Sequence, residues 1–414
     1  MQTRKNVILW VLYDFANSIV DIVFFLYFAQ WIVVDSNVPD FYFNLTFTVC
    51  AFLLLLTVPL SGAILDTRLR RITGLRYATA STVLFYGLCA LQAVNGNKWS
   101  ALLFFTVGLY SYLLSFTFYT PLINDISKPS QRGLVSGLGI TANYLGQFVG
   151  LVIALPFANG SLHFFGANPR AETLLPSVII FCLLALPMLF GFQEPMKKNT
   201  GLSLYREIKN VWTATRALIA LPTLTLFFAS YFLFNDAILT VSDNFPIFLE
   251  RVWHIPDTIK TYLLLVILLT CAAGGTISGY IADRAGHKRT LFILLTGWII
   301  LLPILAFITS FPIFVIATTL MGFWFGASWT VSRSVMSYLA PHGKHNLAFA
   351  YFGLAERASS FVGPMVWGFV VTYYEPIGSD RYRWAILAVT VFIILGSLAL
   401  IPVRSDRKPD KKPS

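Results

Sequence analysis

Apolar residues gather in long runs along this chain, near 7–34, 43–65, 74–95, 100–124, 132–158, 173–193, 221–249, 260–282, 289–310, 312–338, 346–374 and 383–403. Each run can cross a bilayer as a helix, which takes about 20 residues. The pattern predicts an all-α polytopic membrane protein with 12 transmembrane helices. Most connections are short, so helices adjacent in sequence should be adjacent in space. The segment 194–220 is the exception. There Leu204, Tyr205, Ile208, Val211 and Trp212 form an apolar stripe, with Arg206, Lys209 and Arg216 elsewhere on the turn. That spacing predicts a short interfacial helix lying on the membrane surface. The chain then divides into a six-helix half, 1–193, a linker, 194–220, a second six-helix half, 221–403, and a basic tail, 404–414.

The polar positions inside the runs carry the next inference. Asp14, Ser18 and Asp21 are spaced i, i+4, i+7 in the first run, and so share one helix face. Asp236, Thr240 and Asp243 repeat the spacing in the seventh. A charge near the bilayer centre costs a few kcal/mol or more, so such groups are expected to face a polar interior. The repeat predicts two related halves around a shared cavity, with Asp14 overlying Asp236. Desolvation favours the neutral form of a carboxylate, so a cavity that opens and closes suits proton loading and release. Arg333, Glu356 and Arg357 are the other charges within runs. Glu356 and Arg357 are adjacent and point about 100° apart, so one must face elsewhere; ion pairs that hold the halves in register are the competing reading. Asn17, Ser18, Asn143, Tyr144 and Gln147 can offer hydrogen bonds to a polar solute or between helices. For Ser18 and Thr240 the simpler use is a bond to their own helix. Trp10, Trp31, Trp99 and Trp384 lie near run ends and read as interface anchors.

Composition narrows the class. The chain is 57% hydrophobic and 12% charged, against about 25% charged in soluble domains. Its net charge of +11 is spread in short basic clusters between runs, which argues against nucleic acid as a partner. Most of the 30 basic residues fall in alternate connections and the tail. By the positive-inside rule this places both termini in the cytoplasm. The first run is too long for a signal peptide and is expected to be retained. The four cysteines stand singly in apolar runs, with no metal-ligand spacing. The chain lacks a G-K-[ST] phosphate loop and an H-E-x-x-H motif. No enzyme activity, metal or cofactor is therefore expected, and energy would come from a gradient.

A repeated loop comes after the second and eighth runs. The first copy places Gly62 and Asp66 before Arg70 and Arg71; the second reads Gly279-x3-Asp283-Arg284-x-Gly286-x-Lys288-Arg289. An acid at a helix end before a basic turn can lock two helix ends through charge-assisted bonds. The second copy resembles the loop of the major facilitator superfamily; the first lacks the second glycine. Tyr13-Asp14-Phe15-Ala16-Asn17-Ser18 is similar to the first-helix pattern of one branch, which includes fungal vacuolar amino-acid effluxers linked to autophagy and bacterial relatives. Ser136-Gly137-Leu138-Gly139, Tyr144-Leu145-Gly146, Asn235-Asp236, Ser332-Arg333-Ser334, Phe352-Gly353 and Gly363-Pro364 extend the resemblance over nearly the whole chain. Asn143 and Asp21 depart from the branch's pattern.

The resemblance implies the major-facilitator fold, with a central cavity lined by helices one, four, seven and ten. It implies a cavity set of Asp14, Asn17, Ser18, Asp21, Asn143, Tyr144, Asn235, Asp236, Asp243 and Arg333. The gating loops would be Asp66, Arg70 and Arg71 with Asp283, Arg284, Lys288 and Arg289. The expected function is proton-coupled transport of a small polar solute by a monomer, with amino-acid export favoured by the resemblance. The expected location is the plasma membrane if the source is bacterial. A lipid or amphiphile carrier and a receptor-like protein without transport are the alternatives.

Overall fold

The computed structural model describes residues 2–67, 70–127, 132–194, 220–340 and 345–403, with Thr213 and Arg216. Apart from Thr213 and Arg216, the predicted linker helix lies outside the described residues, as does the basic tail. In hydrocarbon a helix satisfies every backbone group within itself, which is why apolar runs of this length fold as helices.

The first half contributes α1 (Arg4–Asp35), α2 (Asp40–Thr67), α3 (Arg71–Val94), α4 (Lys98–Tyr119), α5 (Arg132–Ala158) and α6 (Pro169–Gly191). The second contributes α7 (Pro222–Trp253), α8 (Asp257–Ala285), α9 (His287–Phe307), α10 (Phe311–Leu339), α11 (His345–Ala358), α12 (Gly363–Tyr373) and α13 (Arg381–Leu400). Among the described residues, 11 helices are long and apolar enough to cross a membrane. The protein is a multi-pass integral membrane protein.

The eleventh run, expected as one helix over 346–374, is instead split into α11 and α12. Pro364 sits in the first turn of α12. Proline suits that place, where its missing N–H would be unpaired anyway, and would disrupt a helix passing through it.

Packing repeats between the halves. α1 packs on α5 and α6, α3 on α4 and α6, and α2 on α4. In the second half α7 packs on α11, α12 and α13, α9 on α10 and α13, and α8 on α10. The halves meet where α2 runs along α11 and α12, and where α5 runs along α8. The end of the bundle away from the start of α1 is called here the outer end. Toward it α1 widens through π-helical turns at Phe24–Phe28 and Trp31–Asp35.

α1 is enclosed nearly all round. Phe24 stacks on Tyr86 at 4.1 Å and Phe28 lies 4.3 Å from Phe105, centroid to centroid. This corrects the reading of Trp10 and Trp31 as interface anchors: they are 5% and 2% exposed, and Trp10 stacks on Tyr119. A helix gripped on all sides buries its aromatic ends as well. Trp99 and Trp384 are exposed, as an interface position requires.

Candidate functional site between the halves

Asp14 is half-buried on α1. Asn143 of α5 and Tyr119 of α4 lie beside its carboxylate, the Tyr119 hydroxyl donating to the Trp10 carbonyl at 2.9 Å, and Arg333 of α10 is the cation acting on it from the second half. Asn143 also accepts from Gln147 Nε2 at 2.8 Å. Ser18 donates to the Asp14 carbonyl at 2.8 Å, which is the local use expected of a helix hydroxyl. Asn17 is buried, and its Oδ1 has no protein partner. One turn further along, Asp21 is met by the Tyr112 hydroxyl. Asp243 of α7 feels the charge of Asp21 from the first half and of Asp236 on its own helix.

Arg333 lies between the halves. Its Nη2 donates to Glu356 Oε1 at 3.0 Å, and Tyr231 and Tyr144 are its other charged or polar neighbours. The Arg333 side chain is nevertheless 46% exposed. A side chain that is exposed and yet surrounded by groups of both halves faces a gap between them. Such a gap, bordered by Asp14, Asn143, Tyr144, Arg333 and Glu356, can receive a polar molecule and orient it through charge.

Asn235 and Asp236 make their side-chain hydrogen bonds within the second half. Asp236 Oδ2 accepts from the Gly363 N–H at 2.7 Å, with the N–H groups of Val362 and Phe361 as further donors. Asn235 Nδ2 donates to Ser359 Oγ at 2.6 Å and to the Glu356 carbonyl at 3.3 Å, while its Oδ1 accepts from Trp329 Nε1 at 3.1 Å. The pair stitches the break between α11 and α12. Glycine is needed at 363 because a Cβ there would overlap Thr240 Oγ1 and lie 2.9 Å from Asp236 Oδ1. Asp236 Oδ1 and Thr240 Oγ1 have no protein partners. Thr48 of α2 reaches the same break, donating to the Phe361 carbonyl at 2.9 Å.

The gating loops are partly described. Gly286, with φ of 94°, makes the turn between α8 and α9 in a backbone region that favours glycine. Asp283 is 76% exposed, with His287 on its own turn at 4.0 Å. Arg284 lies over the Tyr280 ring, Lys288 Nζ donates to the Ile401 carbonyl at 2.7 Å, and Arg289 is exposed. In the first copy Arg70 is exposed, and Arg71 pairs with Asp125 at 3.3 Å. The Asp66 side chain lies outside the described residues.

Sequence reasoning left Glu356, Tyr112 and Tyr119 out of the site. Tyr112 and Tyr119 share a face of α4 at i, i+7 spacing, which was a usable signal. Arg357, adjacent to Glu356, turns the other way as their spacing demands. Its Nη2 donates to Thr120 Oγ1 of the first half at 3.0 Å, and it lies over Phe116.

Known proteins agree with this architecture. Residues 240–414 match the Major Facilitator Superfamily. An uncharacterized MFS-type transporter of Bacillus subtilis, YxiO, is 22% identical over 426 residues, spanning 97% of this chain and 95% of its own length. Autophagy-related protein 22 of Vanderwaltozyma polyspora is 23% identical over 313 residues, and the match spans 66% of this chain and 58% of that protein. The chain thus spans less than two thirds of the fungal relative. Among solved structures, a point variant of the nucleoside transporter NupG superposes with a TM-score of 0.77 at 12% identity, covering 96% of this chain and 99% of that one. A D-xylose-proton symporter superposes at 0.70 with 13% identity, covering 97% of each. Residues 240–414 thus match the Major Facilitator Superfamily, and the chain over its whole length shares the fold of these solved structures.

Proposed function

We propose that the chain is a secondary active transporter that moves a small polar solute by alternating access, with proton coupling. The halves 1–193 and 221–403 are the rocking units, and the inner end faces the cytoplasm. The carrying observation is the exposed Arg333, paired with Glu356, on the side of the gap opposite Asp14 and Asn143. Intramembrane charges are costly unless they serve a polar path, and here they converge between two similarly packed helix sets. Arg333 suits an anionic group of the solute, and Asp14 or the Asp21–Asp243 pair suits a cationic group or a proton. The resemblance to the fungal branch favours amino acids, moved outward.

The test is reconstitution of the purified protein in liposomes with an imposed pH gradient and a panel of labelled amino acids, nucleosides and sugars. Accumulation of one class that collapses with the gradient is the expected result. Uptake that is indifferent to the gradient removes proton coupling. Failure of every solute to move, with the protein folded, removes the transport reading.

A further inference from the structure

The outer end holds a charge cluster that the central site does not use. Arg170, in the first turn of α6, donates to Asp35 at the end of α1 at 2.8 Å, to Glu250 of α7 at 2.7 Å, and to Asp257 of α8 at 2.8 and 3.2 Å. Lys260 of α8 is fully buried and donates to Asp257 at 2.7 Å, to Glu250 and to Gln30 of α1. Other bonds across the halves surround it. Tyr27 meets Thr261 at 3.0 Å, and Arg251 donates to the Val33 carbonyl at 2.9 Å. The buried amides of Asn44 and Asn244 exchange hydrogen bonds at 2.9 and 2.8 Å, and Tyr382 donates to Asp40 at 3.0 Å. Arg170 to Asp35 lies within the first half and Lys260 to Asp257 and Glu250 within the second; the other bonds join the first half to the second at the outer end. Toward the inner end Arg357 donates to Thr120 across the halves, and the exposed Asp283 has no partner from the first half among the described residues.

We infer that Arg170 and Lys260 form an outer gate, two cations that clamp the outer ends of α1 and α6 to α7 and α8 and must let go when the carrier opens outward. The inference rests on the alternating-access reading. The chemistry suits a latch that reopens. Burying ions costs nearly what pairing them returns, so a closed cluster of this kind lies close in free energy to an open one with solvated charges. Two cations hold three carboxylates, so removing either cation leaves like charges crowded at the joint.

The test is a distance between spin labels at the outer end, on Asn95→Cys in the first half and Glu375→Cys in the second, with Cys182 replaced by serine. Both label positions are exposed. The parent should give a single short distance. Lys260→Met should raise the longer-distance population at least tenfold, Lys260→Arg should not, and Lys260→Met with Glu250→Gln should return to the short distance by restoring the balance of charge. If Lys260→Met does not fold, Arg170→Gln serves, because it removes the other cation and the bonds from α6 to Glu250 and Asp257, and should shift the distance in the same direction. Folded variants that all keep the parent distance overturn the gate. So does opening by Lys260→Met that the second substitution does not reverse, because that marks a packing defect. The readout needs no solute: an unchanged distance beside intact transport sinks the gate alone, whereas no transport by the parent beside these shifts sinks the transport reading alone.

Discussion

Asp14 and Asp236 occupy equivalent places in the sequence repeat and have different surroundings. Asp236 is bound to backbone N–H groups at the start of α12, whereas Asp14 meets side chains beside the gap. Their substitutions should therefore separate. Asp236→Ala leaves buried N–H groups unpaired and should destabilise the protein by about 1–3 kcal/mol, read as a lower thermal midpoint in detergent. Asp14→Asn keeps a hydrogen-bonding side chain and should unfold near the parent temperature. It should abolish gradient-driven transport while leaving exchange between two equal solute pools largely intact, because exchange needs no net proton release. Normal gradient-driven transport by Asp14→Asn at every pH tested would make Asp14 a structural residue.

At the scale of elements, the broken helix is the least ordinary feature. Ser359-Ser360 and Gly363-Pro364 stand in the eleventh run as visible punctuation, and the apolar length of the run conceals it. The break carries Glu356 to Arg333 on one side of its helix and Arg357 to the first half on the other. Gly363→Ala should force Thr240 and Asp236 apart and cost about 1–3 kcal/mol by overpacking. Adding Thr240→Ala removes the nearer overlap and should recover part of that loss. Thermal unfolding of the two variants decides the point; no recovery would place the strain elsewhere than at Thr240.

For the whole molecule, the prediction concerns the balance of states. Asp283 is exposed and has no partner from the first half among the described residues; on the alternating-access reading, closure of the inner end would supply one. Asp283→Asn should leave the stability of this state within about 0.5 kcal/mol, as for other surface changes. It should lower the fraction of inner-closed molecules, measured by cysteine accessibility from each side. Solute affinity in a cross-linked, single-state protein should be unchanged; a lost affinity with unaltered accessibility would assign Asp283 to binding instead.

The sequence by itself determined those features that local chemistry and repetition dictate. Run lengths specified the spans, because an apolar helix is the stable form of such a segment in a bilayer. The D-x3-[ST]-x2-D spacing placed the acids on one face, and the adjacency of Glu356 and Arg357 foretold that they would part. Tertiary structure alone decided partners. Nothing in the order of residues says that Asn235 and Asp236 would stitch a helix break, or that Glu356 would hold Arg333. Nor does it say that Arg170 would collect carboxylates from Asp35, Glu250 and Asp257, which lie far apart in sequence. Those pairings depend on which helices cross at which height, set by packing over the whole bundle rather than by any one segment.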